Sequence, residues 1–87
     1  MIRLHVLHRA AKGEIYGNSI MEELRRDGFR ISPGTLYPLL HDLERSGYVS
    51  SRRDVVGRRG GRRFYRATPK GRRALAAVRD KVRELLR

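Results

Sequence analysis

The chain has 87 residues, so we expect a single compact core and no second catalytic or ligand-binding domain. Lysine and arginine number 21 against 9 acidic residues, and the net charge of +12 favours a polyanionic partner, above all nucleic acid. Because cysteine is absent, disulfides and thiolate metal sites are excluded, and no apolar run approaches the roughly 18 to 20 residues of a membrane span. We therefore expect a cytoplasmic protein without a membrane anchor.

The first helix is predicted over residues 2–11. Leu4, Leu7 and Ala11 recur at helical spacing, and Gly13 can end the helix by taking a left-handed conformation. Charged residues and histidines interrupt this segment, so it does not resemble a signal peptide.

The second helix is predicted over residues 17–27, after an extended piece at 14–16, and Gly28 ends it. Ser19 and Glu22 are three residues apart, which is the spacing of a capping box. In that arrangement each of the two side chains bonds a free backbone amide of the first turn.

The third helix is predicted to begin at Ser32 and Pro33, a hydroxyl cap followed by a proline, and to end near Ser46. Its apolar stripe has helical spacing and consists of Leu36, Leu39, Leu40 and Leu43. Pro38 fits poorly inside a helix because it lacks an amide donor. Either the regular helix begins nearer 34–35, or its first turns are bent.

A β-hairpin is predicted after the third helix. Residues 48–53 and 62–67 form its two strands, and a long tip containing Gly57, Gly60 and Gly61 joins them. The glycines predict a tip whose backbone can approach another molecule closely.

The hairpin carries the densest positive charge of the chain. Ten lysine or arginine residues lie between Arg52 and Arg73, opposed by one acidic residue, Asp54. Guanidinium groups pair with phosphates or enter a narrow minor groove of DNA. We therefore expect DNA contacts from Arg58, Arg59, Arg62 and Arg63. A solvated loop that contacts nothing is the alternative.

The last helix is predicted to begin at Thr68 and Pro69, which repeat the cap-and-proline start, and to run to about Leu86. Apolar residues spaced by three, four and three form a coiled-coil type of seam. Its members are Leu75, Val78, Val82 and Leu85. So short a chain gains stability from a core shared between two copies, so we expect this seam to form a homodimer. Packing of the stripe on its own domain is the alternative.

Three helices, a basic hairpin and a last helix follow the order of a winged helix-turn-helix, a mainly α fold with a small β-hairpin. Residues 1–67 would form the DNA-binding domain and residues 68–87 the dimerisation helix, within one compact unit. The third helix would enter the major groove, while the hairpin, or wing, would contact the backbone or minor groove beside it. The outward candidates for DNA contact on the third helix are Ser32, Thr35, Tyr37, Pro38, His41 and Arg45.

Several blocks of the chain resemble the PadR family of transcriptional regulators. They are Tyr16-Gly17, Ser32-Pro33-Gly34-Thr35-Leu36-Tyr37-Pro38-Leu39-Leu40, Leu43-Glu44, Gly47-Tyr48, Gly61-Arg62-Arg63, Tyr65-Arg66 and Thr68-Pro69-Lys70-Gly71. The resemblance implies a homodimeric winged-helix repressor that binds a specific, near-palindromic site on double-stranded DNA. It also adds Tyr16 and Asn18 to the expected DNA contacts.

Two departures from the family pattern affect what the resemblance implies. Asn18 and Ser19 replace an aromatic and an acidic residue that are usual there, so we expect a weaker or different DNA contact at this point. Nothing follows Arg87, so we expect the effector-responsive C-terminal domain of some members to be missing. A small-molecule effector would then have to bind at the dimer interface.

Other classes of function are open at this point. A nucleoid or mobile-element protein that binds DNA with little sequence preference is the main alternative. RNA binding is disfavoured, because the deep, narrow groove of A-form RNA does not admit a recognition helix. Nothing points to a pure protein-interaction module, and the dispersed carboxylates argue against an enzyme, so no cofactor is expected. His5 and His8 are three residues apart and give one weak indication of a metal site.

Overall fold

The helices and strands follow the predicted order, with one short strand added. The computed structural model describes residues 1–54 and 62–87. Within them the elements are α1 Ile2–Lys12, β1 Ile15–Tyr16, α2 Gly17–Arg26, α3 Pro33–Arg45, β2 Val49–Asp54, β3 Arg62–Ala67 and α4 Pro69–Leu85. The predicted bounds differ from these by about one residue, the usual uncertainty of a helix or strand end. The mainly α fold with a small β-hairpin is confirmed.

The core lies between the first three helices and the inner face of the sheet. Its largest fully buried side chains are Val6, Ile20, Leu24, Leu36, Leu40 and Val49. The predicted stripe of α3 is confirmed, because all four of its leucines are buried. Burial of this stripe fixes which side of α3 faces solvent.

The sheet has three antiparallel strands in the order β1-β3-β2, one more than the predicted hairpin. The added strand is the extended piece before α2, which pairs Ile15 with Tyr65 and Tyr16 with Phe64. Side chains alternate along a strand, so Ile15 and Tyr65 are buried against the core while Tyr16 and Phe64 lie on the outer face. Strand β3 of the wing is thus hydrogen-bonded to a neighbouring strand along each of its two edges.

Glycines end the helices as predicted, but not all in the same conformation. Gly28 and Gly47 have φ values of 93° and 83°, the left-handed region that favours glycine. Gly13 also follows its helix directly, yet its φ of 175° is extended. The left-handed conformation predicted for Gly13 is therefore wrong.

The starts of α3 and α4 differ although both have a hydroxyl residue before a proline. The Thr68 hydroxyl accepts a hydrogen bond from the Gly71 amide at 3.0 Å, as predicted, and donates to the Gly47 carbonyl oxygen. The Thr68 hydroxyl therefore connects the turn that follows α3 to the first turn of α4. The Ser32 hydroxyl lies 3.4 Å from the Thr35 hydroxyl and caps no backbone amide of residues 33–36, so the hydroxyl cap predicted at Ser32 is wrong.

Two further predictions about helix starts need correction. The capping box of Ser19 and Glu22 is wrong, because α2 begins at Gly17 and the Ser19 hydroxyl donates to the Tyr16 carbonyl oxygen at 3.0 Å. Pairing of β1 with β3 places the start of α2 ahead of the serine. A late start of α3 is also wrong, since the helix begins at Pro33 and continues through Pro38.

The apolar seam predicted on α4 is divided by the fold. Leu75 is buried in the core of the single chain, where α4 packs against α1, so it is not part of an exposed seam. Val78, Val82 and Leu85 remain exposed. Leu75 also joins α4 to the rest of the core. Within residues 1–54 and 62–87, no helix has the length and hydropathy needed to cross a membrane.

Candidate nucleic-acid interface

One surface concavity brings together side chains from three separate parts of the chain. It is lined by Tyr16, Gly17, Asn18, Tyr37, Arg62 and Arg63. The first three residues lie at the junction of β1 and α2, Tyr37 lies on α3, and the two arginines begin β3. Five of these residues are candidate DNA contacts from the sequence, so α3 and the base of the wing share one face.

Tyr37 lines this concavity, with 42% of its surface exposed. Its hydroxyl lies directly over Gly17, and a Cβ atom built at Gly17 would be only 2.8 Å from Cζ and 3.1 Å from Cε1 of the tyrosine ring. The ring therefore does not project freely into solvent, because its hydroxyl end packs on Gly17 at the start of α2. Only glycine leaves room for it there.

We expect Gly17→Ala to reduce the free energy of unfolding by about 1 kcal/mol, because the new methyl group displaces the Tyr37 ring. Helix propensity alone predicts the opposite sign, since alanine is favoured over glycine in a helix. Urea denaturation measures the change. Gly13→Ala is the control, because that position has open space around it. In a Tyr37→Ala background the loss should disappear, and a loss that persists there would contradict the contact.

The remaining candidates on α3 form a polar, solvent-exposed surface. Ser32, Thr35, Pro38 and His41 are exposed. Arg45 is also exposed, and its Nη1 lies 3.4 Å from Oδ1 of Asp42. The hydroxyl groups in the first turn of the helix and the His41 imidazole two turns later can donate to phosphates or bond base edges, whereas Arg45 lies at the C-terminal end of the helix.

The two described wing arginines are held in different ways. The Arg62 guanidinium lies over the Tyr16 ring, 5.0 Å from its centroid. The Arg63 Nη1 donates to the Ser51 hydroxyl at 3.0 Å, and that hydroxyl donates to Oε2 of Glu44 on α3 at 2.6 Å. Both arginines are exposed, so each retains donors that can reach an anion. Arg58 and Arg59 lie outside the described residues.

Some of the positive charge in the Arg52 to Arg73 cluster is bound within the fold. Arg52 donates from Nε and Nη2 to the Glu14 carboxylate at 2.7 and 2.8 Å. Lys70 Nζ donates to the Ser46 carbonyl oxygen at 2.7 Å. These two cations are therefore less available to a ligand than their position in the sequence suggests.

Comparison with known proteins identifies the family of this chain. The profile of the PadR-like transcriptional regulator family matches residues 6–77. The chain belongs to the PadR-like family. It is also 52% identical, over 86 residues, to the protein named transcriptional regulator Rv3488 of Mycobacterium tuberculosis, covering 99% of this chain and 79% of that protein. The family is one of transcriptional regulators and not of enzymes.

Solved structures show the same winged-helix fold. A PadR family regulator from Eggerthella lenta has a TM-score of 0.85 and 32% identity, with 98% of this chain and 74% of that chain covered. PadR of Bacillus subtilis, crystallised in complex with operator DNA, has a TM-score of 0.74 and 23% identity, covering 87% of this chain and 44% of that chain. At that identity the second structure establishes the fold alone.

Sequence reasoning missed a second basic concavity of this PadR-like chain, beside the start of α3. It is lined by Arg25, Gly28, Arg30, Ile31 and Ser32. The helix dipole and the free amides at the start of a helix favour an anion, and both arginines add to that preference. Position alone could have identified them, because they flank the turn that leads into the predicted recognition helix.

The histidines of α1 lie away from the concavity that contains Tyr37. His5 Nε2 is 3.2 Å from Oδ2 of Asp27, which also accepts a hydrogen bond from Nη2 of Arg9 at 2.8 Å. The Arg9 hydrogen bond lowers the pKa of Asp27, so this carboxylate stays ionised at neutral pH. His8 lines an apolar groove between α1 and α4. Within the described residues, no group of three or more histidine or acidic residues has the geometry of a metal site.

Proposed function

We propose that this PadR-like regulator is a homodimeric repressor that binds a near-palindromic site on double-stranded DNA. In each subunit α3 lies in the major groove, and the arginine-rich wing contacts the backbone or the minor groove beside it. The main support for this proposal is the shared concavity, in which Tyr37 of α3 lies beside Arg62 and Arg63 of the wing. One duplex could reach all three residues from the same side.

The division of labour between the two elements follows from their chemistry. Thr35, Tyr37 and His41 present hydroxyl and imidazole groups, which can bond base edges and so distinguish sequences. Arg62 and Arg63 present guanidinium forks, which bind phosphates whatever the sequence. The net charge of +12 supports strong attraction to DNA. A regulator of the same fold, PadR of Bacillus subtilis, has been crystallised with operator DNA.

The exposed part of α4 supports the proposed dimer. Val78 and Val82 are 37% and 47% exposed, and Leu85 follows one turn later at 83%. The adjoining groove between α1 and α4 is lined partly by Leu4, Leu75 and Val78 and is therefore largely apolar. A second copy related by a two-fold axis would cover the stripe and the groove together. Residues 1–67 would then bind DNA and residues 68–87 would join the two subunits.

Selection from a pool of random duplexes tests this function. We expect the bound sequences to converge on a near-palindrome, bound about a thousandfold more tightly than random duplex at the same salt concentration. Equal affinity for all duplexes would instead indicate a nucleoid or mobile-element type of protein.

Two variants in the same assay separate the roles of α3 and the wing. Thr35→Ala should change the preferred sequence, because it removes a group from the surface that faces the bases. Arg62→Ala should weaken binding to every sequence and lower the salt slope by about one per subunit. Arg83→Ala on the exposed side of α4 is the charge-matched control and should leave the slope almost unchanged. An unaltered preference in Thr35→Ala would remove that residue from the proposed interface.

A further inference from the structure

We propose that Glu14 and Tyr16 are positioning residues, which act through Arg52 and Phe64 to hold the Arg62 guanidinium in place for a DNA phosphate. The inference deepens the proposed function and rests on it. It assigns a role in DNA binding to an acidic residue, which simple charge considerations would exclude.

An unbroken series of side-chain contacts runs across the outer face of the sheet. Glu14 accepts two hydrogen bonds from Arg52, and the Arg52 guanidinium lies 4.8 Å from the centroid of the Phe64 ring. The Phe64 and Tyr16 rings meet edge to face with their centroids 5.5 Å apart. The Arg62 guanidinium lies over the Tyr16 ring, 5.0 Å from its centroid. Two adjacent rings, with one arginine stacked on each, thus connect the carboxylate to the wing.

The strand register explains why these five side chains meet. Tyr16 and Arg52 both pair with Phe64, one from each neighbouring strand, so the three share one face of the sheet. Glu14 precedes Tyr16 by two residues and Arg62 precedes Phe64 by two, which returns both to that face. The short strand β1 is therefore what brings a carboxylate and an aromatic ring to the wing.

Holding Arg62 in the free protein favours binding because it reduces the entropy lost when DNA arrives. An unrestrained arginine side chain has substantial rotamer entropy, part of which is lost when the guanidinium binds a phosphate. Each contact of the series is weak at the surface, but together they limit where the guanidinium can lie. The Arg52 hydrogen bonds also lower the pKa of Glu14, which keeps its carboxylate charged at neutral pH.

The proposal and simple electrostatics make opposite predictions for loss of the Glu14 charge. Electrostatics alone predicts tighter DNA binding, because the net charge rises by one and Arg52 is released to contact phosphate. The proposal predicts weaker binding, because Arg62 loses its support. The sign of the change therefore distinguishes the two.

The experiment titrates the full chain with a random duplex of roughly 30 base pairs, about three helical turns, at several salt concentrations. Glu14→Gln should weaken binding about fivefold per subunit at about 0.15 M salt while the salt slope changes little, because the Arg62 contact with phosphate still forms but must order a freer side chain. Glu84→Gln makes the same charge change on α4, far along the chain, and should leave both quantities unchanged or slightly raised. Thermal unfolding of both variants shows whether they are folded at the assay temperature.

Tyr16 supplies a second test that depends on the ring and not on charge. Tyr16→Phe retains the aromatic ring and should bind like the wild type, whereas Tyr16→Leu should show the same loss of affinity as Glu14→Gln. An equal loss in Tyr16→Phe would mean that the hydroxyl contacts DNA directly, and the positioning role would be wrong. Binding by Glu14→Gln that equals or exceeds that of Glu84→Gln would also overturn it. If the wild type itself shows no salt-dependent binding, the proposed function fails instead.

Discussion

Gly71→Ala should lower the free energy of unfolding by about 3 kcal/mol, the largest effect on stability that we expect from adding one methyl group to this chain. Gly71 lies in the first turn of α4, where a Cβ atom would collide with the Tyr48 carbonyl oxygen and lie 3.0 Å from the carbonyl carbon. It would also come within 3.2 Å of Cδ1 of Leu7 in the core. A backbone carbonyl cannot rotate away as a side chain can. This one also accepts a hydrogen bond from the Thr68 amide at 3.0 Å.

Gly34→Ala is the matched control for that change. Gly34 lies in the first turn of α3, also shortly after a proline, and an added Cβ there meets only the Ser32 hydroxyl oxygen at 3.7 Å. Alanine at such a site should be neutral or stabilise the protein by up to about 1 kcal/mol. Urea denaturation of the two variants under the same conditions provides the comparison. Similar stabilities for both would show that α4 does not pack on the Tyr48 backbone as described.

Val82→Glu should raise the dissociation constant of the proposed dimer by at least about a hundredfold, because the two-fold axis would bury an unpaired carboxylate from each subunit. Val82 is 47% exposed on the single chain, so the fold of each subunit should survive the change. Sedimentation equilibrium measures the association. DNA affinity should fall with it, since a monomer can occupy only one half-site.

Ala76→Glu adds the same charge to an exposed position on another side of α4. It is the matched control, because it lowers the attraction to DNA through net charge alone and should leave the dimer intact. If Val82→Glu associates as strongly as Ala76→Glu, the interface lies elsewhere and α4 is not the dimerisation helix.

Elements with local chemical signals were predictable from the sequence. A proline after a hydroxyl residue begins both α3 and α4, and a glycine follows the end of α1, α2 and α3 within two residues. The prolines, and Gly28 and Gly47 in the left-handed conformation, act through their own backbone preferences, so their effect does not depend on the rest of the fold. The winged-helix order and the membership of the PadR-like family followed from such signals and from the Ser32 to Leu40 block.

Features that depend on distant pairing were not predictable. Strand β1 has only two residues, and it becomes a strand because β3 offers it a free edge. The same pairing overrides the local signal of Ser19, since it sets where α2 begins. Glu14 and Arg52 are 38 positions apart, so no local pattern of charge indicates that they form a bidentate pair.

The candidate site shows the same division between local and distant effects. The outward face of α3 follows from its buried leucine stripe, which is a local periodicity. The seating of Tyr37 on Gly17 depends on how α2 and α3 cross, and the burial of Leu75 depends on how α4 meets α1. Periodicity identified Leu75 as apolar but could not decide whether its own chain or a partner would cover it.

The Thr68 hydroxyl has a mechanical consequence for the proposed dimer. It bridges Gly47, directly behind the last turn of α3, to Gly71 in α4, and Lys70 adds a second link to the Ser46 carbonyl oxygen. Because these hydrogen bonds connect the two helices directly, the orientation of α4 at the two-fold axis would fix the orientation of the recognition helix, α3. Successive major grooves on one side of DNA are about 34 Å apart, and one extra base pair rotates a half-site by roughly 35°. Two subunits joined this stiffly would discriminate by the spacing between half-sites as well as by their bases.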